Sequence, residues 1–407
     1  MRMRTWCVAV AVLTCSLPTA AQTVLSEAEA LARLSADSPR VRAIRAAVDI
    51  ARAEALAARQ WPNPRLSVNR EAVAGVTEHM VTVTQALPIT GRRGLDIRAA
   101  TASADAAASR ADDDLRQARA DLRTAYADLV VAQAREAALQ RSRDGLQALA
   151  EILARREAAG DAAGYDRLRA EREVSEVELE LAEARADRAG AQATLGAFLV
   201  DSPGATTLVA VAPQVGTRLP LPGVDDLVAR ATAVRGEPAA LQQEIASARL
   251  AEQAASRRRI PEPEVVAGTK SSNAGIGDVG SVLSVHIAIP LFDRAQTERA
   301  IARARRSEAE ARSAVFHASL RARTSALHAL VTERRLAADR YRSTASANLE
   351  TLERIAQVSY DAGERGILEL LDAYRGSAAV RTQQAMLDAA VRQAEIALEL
   401  VTGWEMQ

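Results

Sequence analysis

An internal duplication constrains the fold of this chain more than any other feature. The segment WPNPRLSV at residues 61–68 is followed 199 residues later by IPEPEVVA at 260–267. VTVTQALP at 81–88 is followed by LSVHIAIP at 283–290, and AAGD at 158–161 by DAGE at 361–364. Three landmarks in the same order at nearly constant separation predict two equivalent repeats, 22–202 and 224–407, joined by a proline-containing linker at 203–223.

Each repeat has the same predicted order of elements, helix–strand–strand–helix. The first helix, at about 26–59 and about 225–259, ends at a Pro-x-Pro pair because proline removes an amide donor and favours extended geometry before it. Two strands follow, at about 64–72 and 79–88 in the first repeat and about 263–271 and 281–290 in the second. In the last strand Leu283, Val285 and Ile287 alternate with polar or small residues, which is typical of a strand with one apolar face.

The longest elements come after the strands. Residues 93–158 and 294–362 contain no proline, so each stretch is expected to form one helix of about 100 Å. Small and apolar residues recur every seven positions, which predicts coiled-coil packing: Ala118, Ala125, Ala132, Leu139, Leu146 and Leu153. Helical hairpins should turn at about 159–164 and 362–366, and the returning helices should end near residues 200 and 401.

The first 21 residues have the pattern of a signal peptide. Arg2 and Arg4 precede a short apolar run, and small residues at 19–21 place a cleavage site before Gln22. Both cysteines of the chain, Cys7 and Cys15, lie in this segment, so the mature chain would hold no disulfide and no thiolate metal site. The alternative is that Cys15 is a lipid attachment site, although the residues before it, Leu-Thr, are a poor match to such a site.

The strands suggest a membrane role for the chain. Beyond residue 21 no apolar run of 18 residues occurs, so a membrane crossing would have to be made by strands. Strands of about nine residues are long enough to cross an outer membrane, but four cannot close a barrel. We therefore expect a mainly α chain whose strands form a 12-stranded barrel in a trimer, on a long α-helical coiled-coil cylinder. The alternative is that the strands form a soluble sandwich.

Two segments resemble the TolC-type outer-membrane efflux channel family. They are QALPITGRR at 85–93, at a strand-to-helix joint, and YDAGERGILELLDA at 360–373, at the second hairpin tip. The wording PITGRR at 88–93 is most similar to the heavy-metal-efflux branch. The resemblance implies a homotrimeric, passive exit duct in the outer membrane of a Gram-negative bacterium, with its helices in the periplasm. It also implies two partners, an RND-type inner-membrane pump and a periplasmic adaptor.

The resemblance also implies three groups of functional residues. The adaptor-docking tips would be Gly160, Asp161, Gly363 and Glu364. A latch that holds the periplasmic entrance closed would involve Asp166, Tyr360 and Arg365. A pore acid ring would consist of Glu369 and Asp372, which share one helix face because they are three residues apart. The alternative for these acids is that they are solvated charges on the outside of a coiled coil.

Other chemistry is not indicated by the sequence. The balance of 52 acidic and 52 basic residues does not support a nucleic-acid binder. The four histidines have no spacing typical of a zinc site, and there is no nucleophile elbow or phosphate loop, so we expect no enzyme activity, no cofactor and no bound metal. Two other classes remain open: a periplasmic adaptor, which has one hairpin within a lipoyl-like β domain, and a structural coiled-coil protein of the envelope. The transport that the resemblance implies is that of metal ions or small toxic compounds.

Overall fold

The computed structural model describes residues 23–160, 164–199, 208–212, 220–275 and 279–405. The predicted signal segment lies outside these ranges, as do Cys7, Cys15 and the predicted tip residue Asp161. Most of the described chain is helical and the rest of its regular structure is β-sheet, which confirms the predicted fold class at the level of one chain.

The first predicted helix of each repeat is two helices, so the prediction of single helices at 26–59 and 225–259 was wrong. In the first repeat α1 covers Glu27–Arg33 and α2 covers Pro39–Ala58. In the second repeat α5 covers Val224–Val234 and α6 covers Gly236–Arg257. The breaks have a physical cause, because Pro39 is the first residue of α2 and Pro238 lies in the first turn of α6, where a missing amide donor is tolerated.

The long strands pair in one antiparallel sheet. They are β2, Arg65–Val73, β3, Val76–Ala86, β5, Pro263–Ser272, and β6, Val279–Ile287. The order across the sheet is β2-β3-β5-β6. The duplication extends to the register, since Arg65 pairs with Thr84 in the first repeat and Glu264 pairs with His286 in the second.

The helices that follow the strands form the body of the molecule. In the first repeat α3 covers Arg92–Ala159 without interruption and α4 covers Gly164–Gly196. In the second repeat α7 covers Gln296–Tyr341, α8 covers Leu349–Asp361 and α9 covers Ile367–Thr402. The heptad positions predicted in α3 are all buried, which confirms the packing face predicted there.

The second long helix is interrupted, so the prediction of one helix over 294–362 was wrong. A π-helical turn, Arg342–Ser346, separates α7 from α8. The hydroxyl groups of Ser343 and Thr344 both donate to the carbonyl oxygen of Arg340, at 3.0 and 2.8 Å. Side chains that bond to the preceding turn compete with the regular helix ladder and bend it.

A short parallel strand pair was not predicted. The strand β1, Thr23–Leu25, pairs with β4, Leu208–Ala210, inside the segment that was expected to be a linker. The pair is held against α3, since the Tyr126 hydroxyl lies 2.8 Å from the Leu25 carbonyl oxygen and the Gln133 amide donates to the Ala210 carbonyl oxygen at 2.8 Å. The start of the described chain is therefore fixed to the middle of the longest helix.

Candidate functional site at the two ends of the helical body

The four-stranded sheet has one apolar and one polar face. The apolar face carries Leu66, Val68, Val81, Val83, Val265, Leu283, Val285 and Ile287. The polar face carries Arg65, Ser67, Asn69, Glu71, Glu78, Thr82, Thr84, Glu264, Lys270, Ser284 and His286, with Met80, Val266 and Val282 among them. Arg70 and His79 lie on the apolar face, toward the turn between β2 and β3. Large side chains of the apolar face are open to the surroundings in a single chain, since Leu66 is 68% and Leu283 is 78% exposed. A surface of this kind needs an apolar environment.

The polar face is the crowded side of the sheet. Thr82 and Val266 on this face are buried, and Gly268 beside them has no room for a side chain. A Cβ at Gly268 would lie 2.1 Å from the Val81 carbonyl oxygen and 2.7 Å from the Thr82 Cα. Crowding on one face indicates that the sheet curls toward that face, as the inner surface of a barrel would.

Charges on the polar face are paired between the repeats. The Nη2 of Arg65 lies 2.7 and 2.6 Å from the two carboxylate oxygens of Glu264, across the intervening strand β3. The Nζ of Lys270 lies 2.6 Å from a carboxylate oxygen of Glu78. Each pair joins the first repeat to the second on the face toward which the sheet curls.

Both edges of the sheet are open within the described chain. β2 and β6 each pair with a single neighbour, and the alternation of the antiparallel order makes these two edge strands run in opposite directions. An open edge presents unpaired N–H and C=O groups that can bind another strand. Since the edges are antiparallel to each other, β6 of one chain can pair with β2 of a second chain without changing the pattern of the sheet.

The segment QALPITGRR forms the joint between the sheet and α3. The Thr90 hydroxyl donates to a carboxylate oxygen of Glu262 at 2.7 Å, and the Arg92 guanidinium lies 3.3 Å from the other oxygen. Gly91 has φ +73°, which glycine adopts without strain. Burial raises the pKa of Asp96 above its ordinary value, with Arg92 opposing the rise and Glu262 adding to it. The motif therefore binds the Pro-Glu-Pro segment of the other repeat.

The predicted tips lie at the far end of α3 and α8, where both glycines have left-handed backbone. Gly160 has φ +83°, and its N–H donates to the carbonyl oxygens of the last helical turn. Gly363 has φ +73°, and the next residue, Glu364, donates its N–H to the Ser359 carbonyl oxygen at 2.9 Å. A Cβ at either glycine would meet nothing within 4 Å, so both tips are open to the surroundings.

The predicted latch residues lie near the tips but do not meet one another in a single chain. Tyr360 is buried among apolar residues of α3, α4 and α9, and the Arg156 guanidinium lies 5.6 Å from its ring centroid. Asp166 is half-buried and Arg365 is exposed. Among the described residues no hydrogen bond or ion pair joins these three, so a latch would have to form between chains.

The two predicted acids of the pore lie on one open stripe of α9. Glu369 and Asp372 are both exposed, and Gly376 lies on the same stripe, while Arg365 lies just before the helix begins. The opposite face of the helix is buried against α3 and α4, through Ile367, Leu370 and Leu371. The helix therefore presents both acids away from the core of its own chain, to solvent or to another copy.

A hydrogen-bonded group near the second tip was missed in the sequence. The Tyr374 hydroxyl donates to Gln357 at 2.9 Å, and the Gln357 amide donates to Asp361 at 3.1 Å. Burial raises the pKa of the Tyr374 hydroxyl, and the charges of Glu353 and Asp361 add to the rise. The ring fits into a notch at Gly145, where a Cβ would lie 2.6 Å from it. That glycine, inside a long helix, was the signal that could have indicated the contact.

In the described part of the chain no group of three or more His, Cys, Asp or Glu side chains is arranged to hold a metal ion. None of the described helices is long and apolar enough to cross a membrane.

Comparisons with known proteins agree with this geometry. Residues 30–199 match the family described as outer membrane efflux protein. The chain is similar to a membrane protein from Pseudomonas aeruginosa, with 19% identity, coverage of 93% of each chain and a TM-score of 0.76. It is similar to the outer membrane protein VceC from Vibrio cholerae, with 16% identity, coverage of 94% and 97% and a TM-score of 0.74. A comparison with curated proteins found no match.

A third solved structure, the CmeC outer membrane channel from Campylobacter jejuni, has a TM-score of 0.75 at 12% identity and is matched over 85% of its length by 93% of this chain. Identities this low show the fold, and the family match covers most of the first repeat. The resemblance predicted from the sequence is therefore confirmed: residues 30–199 match the outer membrane efflux protein family, and the chain has the fold of outer-membrane channels.

Proposed function

We propose that this protein is the outer-membrane exit duct of a tripartite efflux pump. An RND-type pump in the inner membrane would supply the energy, and a periplasmic adaptor would join the pump to the tips of the helical hairpins. The observation that carries the proposal is the sheet, which has an exposed apolar face and two open edges at one end of a helix about 100 Å long.

The open edges support an oligomer. A sheet in lipid needs every backbone group paired, so β2 and β6 must find strands from other copies. Four strands from each of three chains give twelve, an even number within the range of closed outer-membrane barrels. The proposed assembly is a homotrimer in the outer membrane of a Gram-negative bacterium, with its helices in the periplasm.

The two faces of the sheet support a water-filled duct. In a closed barrel curled toward the polar face, the apolar face contacts lipid and the paired charges of the polar face line the lumen. Transport through such a duct is passive, since the pump performs the work, and it requires no catalysis and no cofactor. The substrate class is metal ions or other small toxic compounds, with heavy-metal resistance suggested by the PITGRR segment.

The helical ends support a gated entrance. In a trimer the exposed acids Glu369 and Asp372 of three chains would form a ring that favours cations. The exposed Arg365 would meet an acceptor such as Asp166 on a neighbouring copy, beside the buried Tyr360. Adaptor docking would involve the open turns at Gly160 and Gly363, together with Glu364 and Asp161.

The rival functions fit the molecule less well. A periplasmic adaptor has one hairpin, whereas this chain has a hairpin in each repeat. A structural coiled-coil protein needs no sheet with an apolar face, and the fold of the whole chain is that of outer-membrane channels.

The test is single-channel recording on protein extracted from the outer membrane and inserted into planar bilayers. We expect discrete ion-conducting steps, with lower cation preference and weaker block by multivalent cations in the double variant Glu369→Gln, Asp372→Asn. Tyr360→Phe with Arg365→Ser should instead raise conductance, because it loosens a contact and removes no acid. Recovery of the protein only from the soluble periplasmic fraction, without conductance, would contradict the proposal.

A further inference from the structure

The duplication makes it possible to derive contacts between copies from contacts within the chain, and this inference rests on the proposed closed oligomer. Residues of β2 and β5 correspond at a separation of 199, and those of β3 and β6 at a separation of 202. The structure obeys this rule, because the pair Arg65 and Thr84 becomes Glu264 and His286 when both separations are applied. The register of the sheet therefore follows the duplication of the sequence.

The same rule can be applied to the contact that joins the repeats. Within the chain β3 of the first repeat pairs with β5 of the second, and Thr84 lies opposite Val266. The corresponding contact runs from β6 to β2 of the next copy and places His286 opposite Ser67. The register then pairs Val285 with Val68 on the apolar face, so the contact between copies joins apolar side chains as the sheet requires.

The helices indicate the same head-to-tail contact independently. In the second repeat α6 packs between α3 and α7, and it buries the line Leu241, Ala248 and Ala255. The corresponding line on α2 is Arg42, Asp49 and Leu56, and all three are exposed. α2 packs against the long helix of its own repeat, α3, as α6 packs against α7. α6 also packs against α3, the long helix of the other repeat. The corresponding second neighbour of α2 would be α7 of another copy.

The ion pair on the polar face of the sheet joins two residues that correspond to each other in the duplication. Arg65 and Glu264 occupy corresponding positions, 199 residues apart, and they also bond to each other. The contact between copies must therefore bring Glu264 of one chain beside Arg65 of the next. An arginine has enough donors to bind a carboxylate on each side, and a carboxylate has enough lone pairs to accept from both.

We propose that Arg65 and Glu264 form a closed ring of alternating charges around the helix-proximal end of the barrel lumen. Three copies contribute three acids and three bases, and each bond within a chain is repeated between chains. One nearby position differs strongly in size between the two contacts, because Gly268, which has no space for a Cβ, corresponds to Asn69. Each bond between Arg65 and Glu264 in the ring spans one intervening strand, and neither Gly268 nor Asn69 takes part in it.

The register is tested by disulfide cross-linking, since Cys7 and Cys15 lie in the predicted signal segment. Ser67→Cys with His286→Cys should give covalent dimers and trimers on non-reducing gels. Thr84→Cys with Val266→Cys, the matched pair within one chain, should give a cross-linked monomer, and Glu71→Cys with His286→Cys should give none. A trimer by mass that cross-links only through the Glu71 pair would overturn the register, whereas a monomer by mass would overturn the proposed function as well.

The ring is tested by charge reversal. Arg65→Glu places six acids in the ring and Glu264→Arg six bases, so reversal potentials should shift in opposite directions and both trimers should dissociate at lower temperature. The double reversal restores the alternation and should restore both properties. If Arg65 and Glu264 bond only within single chains, each single variant will leave the dissociation temperature of the trimer unchanged. That result would overturn the ring.

Discussion

Individual glycines in this chain are required for two different physical reasons. Gly268 is required because of space, since its Cβ would lie 2.1 Å from a backbone oxygen of the neighbouring strand. Gly160 and Gly363 have open space around them but positive φ, which L side chains adopt only with strain. The tip glycines could be predicted from the sequence, because both follow long helical patterns and match in the two repeats. The need for Gly268 could not, since it depends on how closely β3 and β5 approach.

We expect Gly268→Ala to destabilise the barrel. The clash is with backbone atoms, so the strands must shift, and overpacking of this kind costs about 1–3 kcal/mol. The measurement is the temperature at which the detergent-solubilised trimer dissociates. Gly280→Ala in the same sheet is the matched control, because its nearest neighbour lies at 3.9 Å and the change should have little effect. Equal dissociation temperatures for the two variants would contradict the steric account.

We expect Gly160→Val and Gly363→Val to abolish efflux while the trimer remains in the membrane. Valine at positive φ costs about 1–2 kcal/mol, which is too little to unfold the bundle but enough to distort the turn that would meet the adaptor. Efflux is measured as substrate accumulation in cells that contain the cognate pump and adaptor.

Two further variants separate the causes of such a loss. Asparagine tolerates left-handed backbone, so Gly160→Asn tests whether an added side chain alone blocks docking. Gly190→Val in α4 is the control, since that glycine has ordinary φ and open space. Normal efflux by both tip valine variants at parental abundance would refute the docking assignment.

At the scale of elements, prolines and glycines predicted where strands, joints and tips lie, but side-chain contacts set the remaining boundaries. The long helix α3 was predicted almost to the residue because its heptad pattern has no interruption. The π-turn at Arg342–Ser346 was not predicted, since it follows from serine and threonine hydroxyls that bond to the preceding turn. The strands β1 and β4 were missed because three-residue strands carry no periodicity.

The short helix α1 is expected to be held by charge. Burial raises the pKa of Glu27, but the guanidinium groups of Arg392 and Arg123 outweigh it and hold that pKa below its ordinary value of 4.5. The Glu27 oxygen lies 2.7 Å from a nitrogen of each arginine, which ties α1 to α9 and α3. Because the folded pKa is depressed, this contribution is complete above pH 4.5 and is lost as the pH falls through the folded pKa.

We expect Glu27→Gln to lower the free energy of unfolding by about 1–3 kcal/mol at pH 7, since it removes one carboxylate from two partly buried guanidinium groups, which keep only Glu399 and Glu395 as charged partners. The difference from the parent in thermal unfolding should shrink below pH 4.5. Asp225→Asn is the control, because Asp225 and its partner Arg321 are both exposed and such a pair contributes about 0–1 kcal/mol. A difference that grows in acid would contradict the ion-pair account.

For the whole molecule, the duplication predicted the order of the elements and the physics of an open sheet predicted the oligomer. A single chain shows the strand order, the two faces of the sheet and the contact between the repeats. The contacts of the edge strands β2 and β6 and of the two hairpin tips lie between chains, so the structure of one chain does not contain them. The predicted acids Glu369 and Asp372 illustrate the limit, since within one chain they are solvent-exposed residues on a helix.

Native mass spectrometry of protein released from the outer membrane in detergent tests the central claim most directly. The account predicts one species with the mass of three mature chains, because twelve strands close a barrel and four leave open edges. A monodisperse monomer that remains soluble without detergent would contradict it, because the apolar face of the sheet would then have no lipid to contact and its edges no partner.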